Sequence, residues 1–96
     1  MSQSKHDKIS QSLAKQEGVE YNKGEGPDIV TQDRVIEVAT HESDLYSSLD
    51  QLSAYRKPKY IATTPDLIKK AKEITEDTGI GVMGPTGKIH KRSKRR

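Results

Sequence analysis

Apolar positions along the chain fall into short clusters of different spacing, separated by glycine, proline and polar residues. In residues 5–17, Ile9 and Leu13 stand at i, i+4 among polar neighbours, the spacing of one helical face. Gly18 follows where a C-terminal glycine stops a helix. Val19 to Asn22 is predicted as a short strand, and Gly24 to Gly26 punctuates the chain after it. Leu45, Leu49 and Leu52 fall at i, i+4 and i+7, a buried stripe on a second helix. Ser43 or Asp44 can cap this helix, which runs to about Tyr55 and is ended by Pro58. Lys59 to Thr63 (KYIAT) reads as a strand centred on Tyr60, Ile61 and Ala62. Thr64-Pro65-Asp66 then supplies an N-cap, a proline at the first helical position and an acid in the first turn. Leu67, Ile68, Ala71 and Ile74 form the inner face of that third helix, and Gly79 closes it. A last short strand spans Ile80 to Met83.

The stretch Pro27 to Thr40, PDIVTQDRVIEVAT, carries the most information. Two β-rich runs, Ile29–Thr31 and Val35–Val38, flank the polar pair Gln32-Asp33. A two-residue hairpin loop there pairs Thr31 with Arg34, Val30 with Val35 and Ile29 with Ile36. The same register sets Asp28 directly opposite Glu37. Cross-strand neighbours have Cβ atoms ~4.5–5.5 Å apart, so two carboxylates placed there repel unless a cation sits between them. The predicted order is α-β-β-β-α-β-α-β. This is an α/β chain with a mixed β-sheet flanked by helices and joined by right-handed crossovers.

Composition sharpens this picture. The 96 residues, without an internal repeat, make one small domain. With no cysteine, neither a disulfide frame nor a thiolate zinc site is available. No window approaches ~18 consecutive apolar residues, and Met1 to Ser12 lacks the apolar stretch of a secretory signal, so a cytoplasmic protein is expected. Hydrophobic content of 30% with no Phe or Trp makes a thin core, for which a homodimer is expected. The net charge of +3 divides unevenly. Lys88, Lys91, Arg92, Lys94, Arg95 and Arg96 are six of the 17 basic residues, and the remaining 11 face 14 acids, so the body through Gly87 is −3. The chain thus divides into a domain over 1–87 and a basic tail over 88–96, expected to be disordered at its end.

Gly26-Pro27-Asp28 followed by Val35-Ile36-Glu37-Val38-Ala39 resembles the signature of the PD-(D/E)XK nucleases. Gln51-Leu52-Ser53-Ala54-Tyr55 on the next helix is similar to the Q-x-x-x-Y motif of the RecB-like branch, which is related to Holliday-junction-resolvase-like enzymes. The resemblance covers roughly residues 5–84 and implies a minimal restriction-endonuclease-like core. It implies further that Asp28, Glu37 and the main-chain carbonyl of Val38 bind Mg²⁺ or Mn²⁺, hard cations that prefer oxygen. Such a metal polarises a scissile phosphate and lowers the pKa of an attacking water. Gln51 and Tyr55 would brace the site and contact the metal shell or the DNA backbone.

One position departs from the pattern. Where the family carries a lysine that stabilises developing negative charge, this chain has Ala39. Losing one preorganised charge of that kind typically costs ~2.7–4 kcal/mol of barrier, on the order of 10²–10³ in rate. Three explanations are open: a lysine that has migrated (Lys57, Lys59 or Lys23), an engineered inactive variant, or a natural descendant that binds nucleic acid without cutting it. The expected function is therefore metal-dependent hydrolysis of DNA phosphodiester bonds, impaired at Ala39. Its alternatives are a non-catalytic nucleic-acid-binding or assembly module and a protein adaptor. The tail cations would anchor phosphates and position rather than specify; without a lipidation signal or an apolar face they do not read as a membrane contact. His41 is expected in a solvent-facing loop, His6 and His90 in polar surroundings without zinc spacing, and Gly84-Pro85-Thr86-Gly87-Lys88 as a turn rather than a phosphate loop.

Overall fold

Valine and isoleucine crowd both faces of the segment after residue 28, and such segments are stable only at the centre of a covered sheet. The computed structural model, which describes residues 5–19 and 28–94, places them there. Helix α1 (Lys5–Glu17) is followed by strands β1 (Ile29–Val30) and β2 (Val35–Ala39), helix α2 (Glu42–Ser53) and strand β3 (Lys59–Thr63). A 3-10 turn (Pro65–Leu67), helix α3 (Ile68–Ile74) and strands β4 (Gly81–Met83) and β5 (Ile89–Lys91) complete the chain. The sheet has strand order β1-β2-β3-β4-β5. Its outer pairs are antiparallel, while β2–β3 and β3–β4 are parallel and bridged by α2 and α3. The fold is α/β, a mixed sheet covered by helices. No helix among the described residues is long and apolar enough to cross a membrane.

Side chains alternate between two core layers. Ile29, Ile36, Val38, Tyr60, Ala62 and Met83 pack against Ile9, Leu13 and Ala14 of α1. Val35, Ala39, Ile61 and Val82 pack on the other face with Leu45 and Leu52 of α2 and Ala71 of α3. The hairpin has the expected register, with Ile29 opposite Ile36, Val30 opposite Val35, and Thr31 N–H donating to Arg34 O at 2.9 Å. Gly18 ends α1 with φ +73°, and Gly87, at φ +92°, turns the chain between β4 and β5, so GPTGK is a turn. Arg34 ties this hairpin to α1 through an ion pair with Glu17 and lies 5.6 Å from the Tyr60 ring centroid.

Several boundaries differ from expectation. The predicted strand over Val19–Asn22 falls largely outside the described residues, as do Gly24 to Pro27, Lys23, Arg95 and Arg96. Helix α2 stops at Ser53, so Tyr55 lies beyond its end. No side chain caps α2, and the Thr64 hydroxyl is buried without a partner rather than capping the next turn. Helix α3 ends at Ile74, well short of Gly79, because the Thr75 hydroxyl bonds back to Ala71 O and Asp77 takes φ +66°. The basic tail set off from the domain in the sequence begins as β5 on the sheet edge and continues along β4, and its last two residues lie outside the described ones. Lys94 N–H donates to Gly79 O at 2.8 Å, and Ser93 Oγ bonds Gly79 O at 3.0 Å. Gly81 permits this closure: a Cβ there would stand 2.6 Å from Ser93 N.

Candidate functional site

The hairpin register brings Asp28 and Glu37 together, each only 8% exposed. Glu37 occupies the middle of β2 and points to the α2 face, two residues after Val35 and two before Ala39. Asp28 is held by two donors. Val38 N–H donates to its Oδ2 at 2.9 Å, and His6 Nε2 from the first turns of α1 lies 3.2 Å from the same oxygen. Glu37 has no such support. Its Oε2 is buried, and no donor among the described residues reaches it.

What Glu37 does meet is acid. Burial, a hydrogen bond to Asp28, and the negative charges of Asp28 and then Asp44 push its carboxyl up to about 9. Two carboxyl groups share a hydrogen bond only if one keeps its proton, and Glu37 is the one that holds it through neutral pH. A buried, unpartnered carboxylate oxygen is the kind of orphan that a bound ion or water accounts for. The donor set fits a hard divalent cation: two oxygen acids in a shielded position, with deprotonation of Glu37 as the condition for binding. Among the described residues no group of three His, Asp or Glu side chains is spaced to hold a metal. A cation here would therefore be held by Asp28 and Glu37 together with main-chain oxygen, such as the Val38 carbonyl, and water.

The other expected site residues lie elsewhere. Ala39 is fully buried among Leu45, Leu52 and Ile61, with its carbonyl accepting from Thr63 Oγ1 at 2.7 Å. Lys57 Nζ donates to Thr31 O at 3.0 Å and Lys59 Nζ to Tyr55 O at 2.7 Å. Both belong to a cleft at the end of the sheet where β2 and β3 begin. Tyr55 lines that same cleft. It lies beyond the end of α2, whereas Asp44 stands in that helix's first turn. Gln51 is exposed on α2. His41 is exposed at the start of α2, as expected.

The described tail cations divide as well. Lys88, Arg92 and Lys94 are exposed, whereas Lys91 Nζ donates to Thr75 O and Ile80 O, both at 2.8 Å, and to Thr75 Oγ1 at 3.2 Å. All three of its N–H groups are spent. Burial, then the charge of Lys94, lowers its pKa. Lys91 is a clamp between α3 and β4 rather than a phosphate anchor. His6 is the residue that sequence reasoning missed. Its only signal was its place one turn before Ile9, which points the start of α1 toward the hairpin. No family model, curated protein or solved structure matches the chain.

Proposed function

We propose that this chain is a divalent-cation- and nucleic-acid-binding domain of the PD-(D/E)XK type, acting in the cytoplasm, in which phosphodiester hydrolysis is weak or lost. The observation that carries the reading is the buried Asp28–Glu37 pair, whose second member has an unpartnered oxygen and only acidic neighbours acting on it. Asp28, fixed by Val38 N–H and His6, is preorganised as an anionic ligand. Glu37 would join it by giving up the proton it holds against burial. A bound Mg²⁺ or Mn²⁺ would supply polarisation of a phosphate and activation of water. Ala39 supports the loss of activity. It offers a methyl group in an apolar layer, while Lys57 and Lys59 spend a donor each on carbonyls beside another cleft.

Two measurements test this. Mn²⁺ should raise the melting temperature of the wild-type chain, and Asp28→Asn and Glu37→Gln should abolish the increment. A metal response that survives both substitutions would refute the site. Ala39→Lys should then restore nicking of plasmid or junction DNA in Mg²⁺ or Mn²⁺, and restored nicking should vanish with Glu37→Gln. A folded Ala39→Lys protein inert on every DNA and RNA form would favour the second reading, a non-catalytic nucleic-acid-binding module. The full burial of Ala39 among leucines is the observation that recommends that reading. It requires DNA binding indifferent to EDTA and to Asp28→Asn.

A further inference from the structure

The cleft that holds Tyr55 is chemically unlike the acid pair. Its volume is about 680 Å³, and it lies between the α2–β3 connection, the turn before β4 and the segment after β5. Arg56, Lys57, Lys59 and Lys94 line it, and among the described residues no Asp or Glu does. Four cations converge on one concavity in a domain whose body through Gly87 is net negative. Among the described residues no acid in the lining relieves their mutual repulsion, so the cleft is a local positive focus with room for an anion.

The donors are available. Lys57 and Lys59 each give one hydrogen bond to a carbonyl, which leaves two N–H groups on each ammonium. Arg56 and Lys94 are exposed. The Tyr55 ring is half-buried: one side rests against the α2-face core, and the remainder belongs to the cleft wall. A cationic groove beside a fixed aromatic face is the arrangement that binds single-stranded nucleic acid, with backbone phosphates on the cations and a base on the ring. A duplex offers phosphates but no unstacked base. The volume suits a nucleotide-sized group rather than a whole helix.

We propose that this cleft binds single-stranded nucleic acid, with Arg56, Lys57, Lys59 and Lys94 on the phosphates and Tyr55 under a base. The site rests on the nucleic-acid part of the function proposed above but not on the acid pair or its metal. It also explains the packing of the segment after β5: Ser93, bonded to Lys59 N–H at 3.1 Å, delivers Lys94 to the cleft.

The test uses the full chain in EDTA, with fluorescein-labelled oligothymidylate and the matching duplex as probes in anisotropy titrations over a range of salt. The wild-type chain should prefer the single strand. Arg56→Ala combined with Lys94→Ala should weaken it roughly tenfold and lower the salt slope by about 1.4, since each single-strand phosphate contact contributes ~0.7. Tyr55→Leu should weaken binding about tenfold at unchanged slope, and Tyr55→Phe should restore it, because phenylalanine keeps the stacking face. Circular dichroism melts establish that each variant is folded. If the cleft variants bind as wild type while Lys88→Ala with Arg92→Ala weakens binding, the tail carries the contact and the cleft proposal is overturned with the broader function intact. If neither probe binds the wild-type chain, both fall. Displacement by thymidine monophosphate or inorganic phosphate at the concentration that displaces the oligonucleotide would make this an isolated phosphate site and overturn the strand assignment.

Discussion

Replacing Glu37 by Gln removes one proton equilibrium while keeping the side chain's shape. In the folded chain burial, the hydrogen bond to Asp28 and the charges of Asp28 and Asp44 hold Glu37 protonated up to about 9, against an ordinary 4.5. Between those values the folded state binds more protons than the unfolded state. The stabilising contribution of Glu37 is therefore complete below 4.5 and is lost as pH rises toward about 9. One proton of difference corresponds to a slope of at most ~1.36 kcal/mol per pH unit, so moving from about pH 6 to about pH 8 removes up to roughly 3 kcal/mol. For a domain of this size that is a large share of total stability, typically ~5–15 kcal/mol.

The assay is urea unfolding in EDTA at several pH values, followed by far-ultraviolet circular dichroism. Glutamine carries no titrating proton, so Glu37→Gln should show a shallower decline and exceed the wild type in stability on the alkaline side. Groups remote from the pair and common to both proteins largely cancel in the difference between the curves. Asp28→Asn removes the acidic partner but leaves the burial of Glu37, so its slope should fall between the two. Parallel curves for wild type and Glu37→Gln, or a wild type that gains on the variant as pH climbs, would refute the picture of a protonated, acid-surrounded Glu37.

Three other outcomes follow from the packing. Leu52 is fully buried under α2, and Leu52→Ala should cost about 2–5 kcal/mol in urea unfolding. Lys91→Met keeps the aliphatic stem but orphans the carbonyls of Thr75 and Ile80, which should cost on the order of 1–3 kcal/mol while leaving the salt slope of nucleic-acid binding unchanged. Glu17→Gln weakens the partly buried pair with Arg34 and should cost about 1 kcal/mol, with the loss reduced when Arg34 is also replaced, as a double-mutant cycle would show.

The elements that were legible in the sequence are those decided by local rules. The β-rich runs on either side of the two-residue Gln32-Asp33 turn determine the hairpin register, and the register alone sets Asp28 against Glu37. The leucine stripe of α2 shows its buried face without reference to a partner. Helix ends were less legible, and at the end of α3 a local bond is reinforced by a distant residue. Thr75 turns its hydroxyl back on Ala71, and its carbonyl is then claimed by Lys91.

What could not be read locally is closure between distant segments. In KIHKRSKRR the charge density argues for a solvated tail, and only the neighbouring β4 edge, with Gly81 leaving room and the carbonyls of Gly79 and Ile80 waiting for donors, makes residues 89–94 part of the sheet. The same closure changes the electrostatic meaning of those cations. Counted along the chain they form one block, but folded they separate into Lys91, consumed inside the protein, the exposed Lys88 and Arg92, and Lys94, brought to the cleft with Arg56, Lys57 and Lys59. Likewise Gln51 and Tyr55 are one motif only along the sequence. Because α2 ends at Ser53, the tyrosine leaves the helix and joins the basic cleft at the strand beginnings, while Asp44 in the first turn of α2 adds its charge to Glu37. The positive end and the acidic centre of this small sheet are thus supplied by residues that sequence order intermixes. The two groups share no side chain, so substitutions in one should leave any intrinsic affinity of the other unchanged.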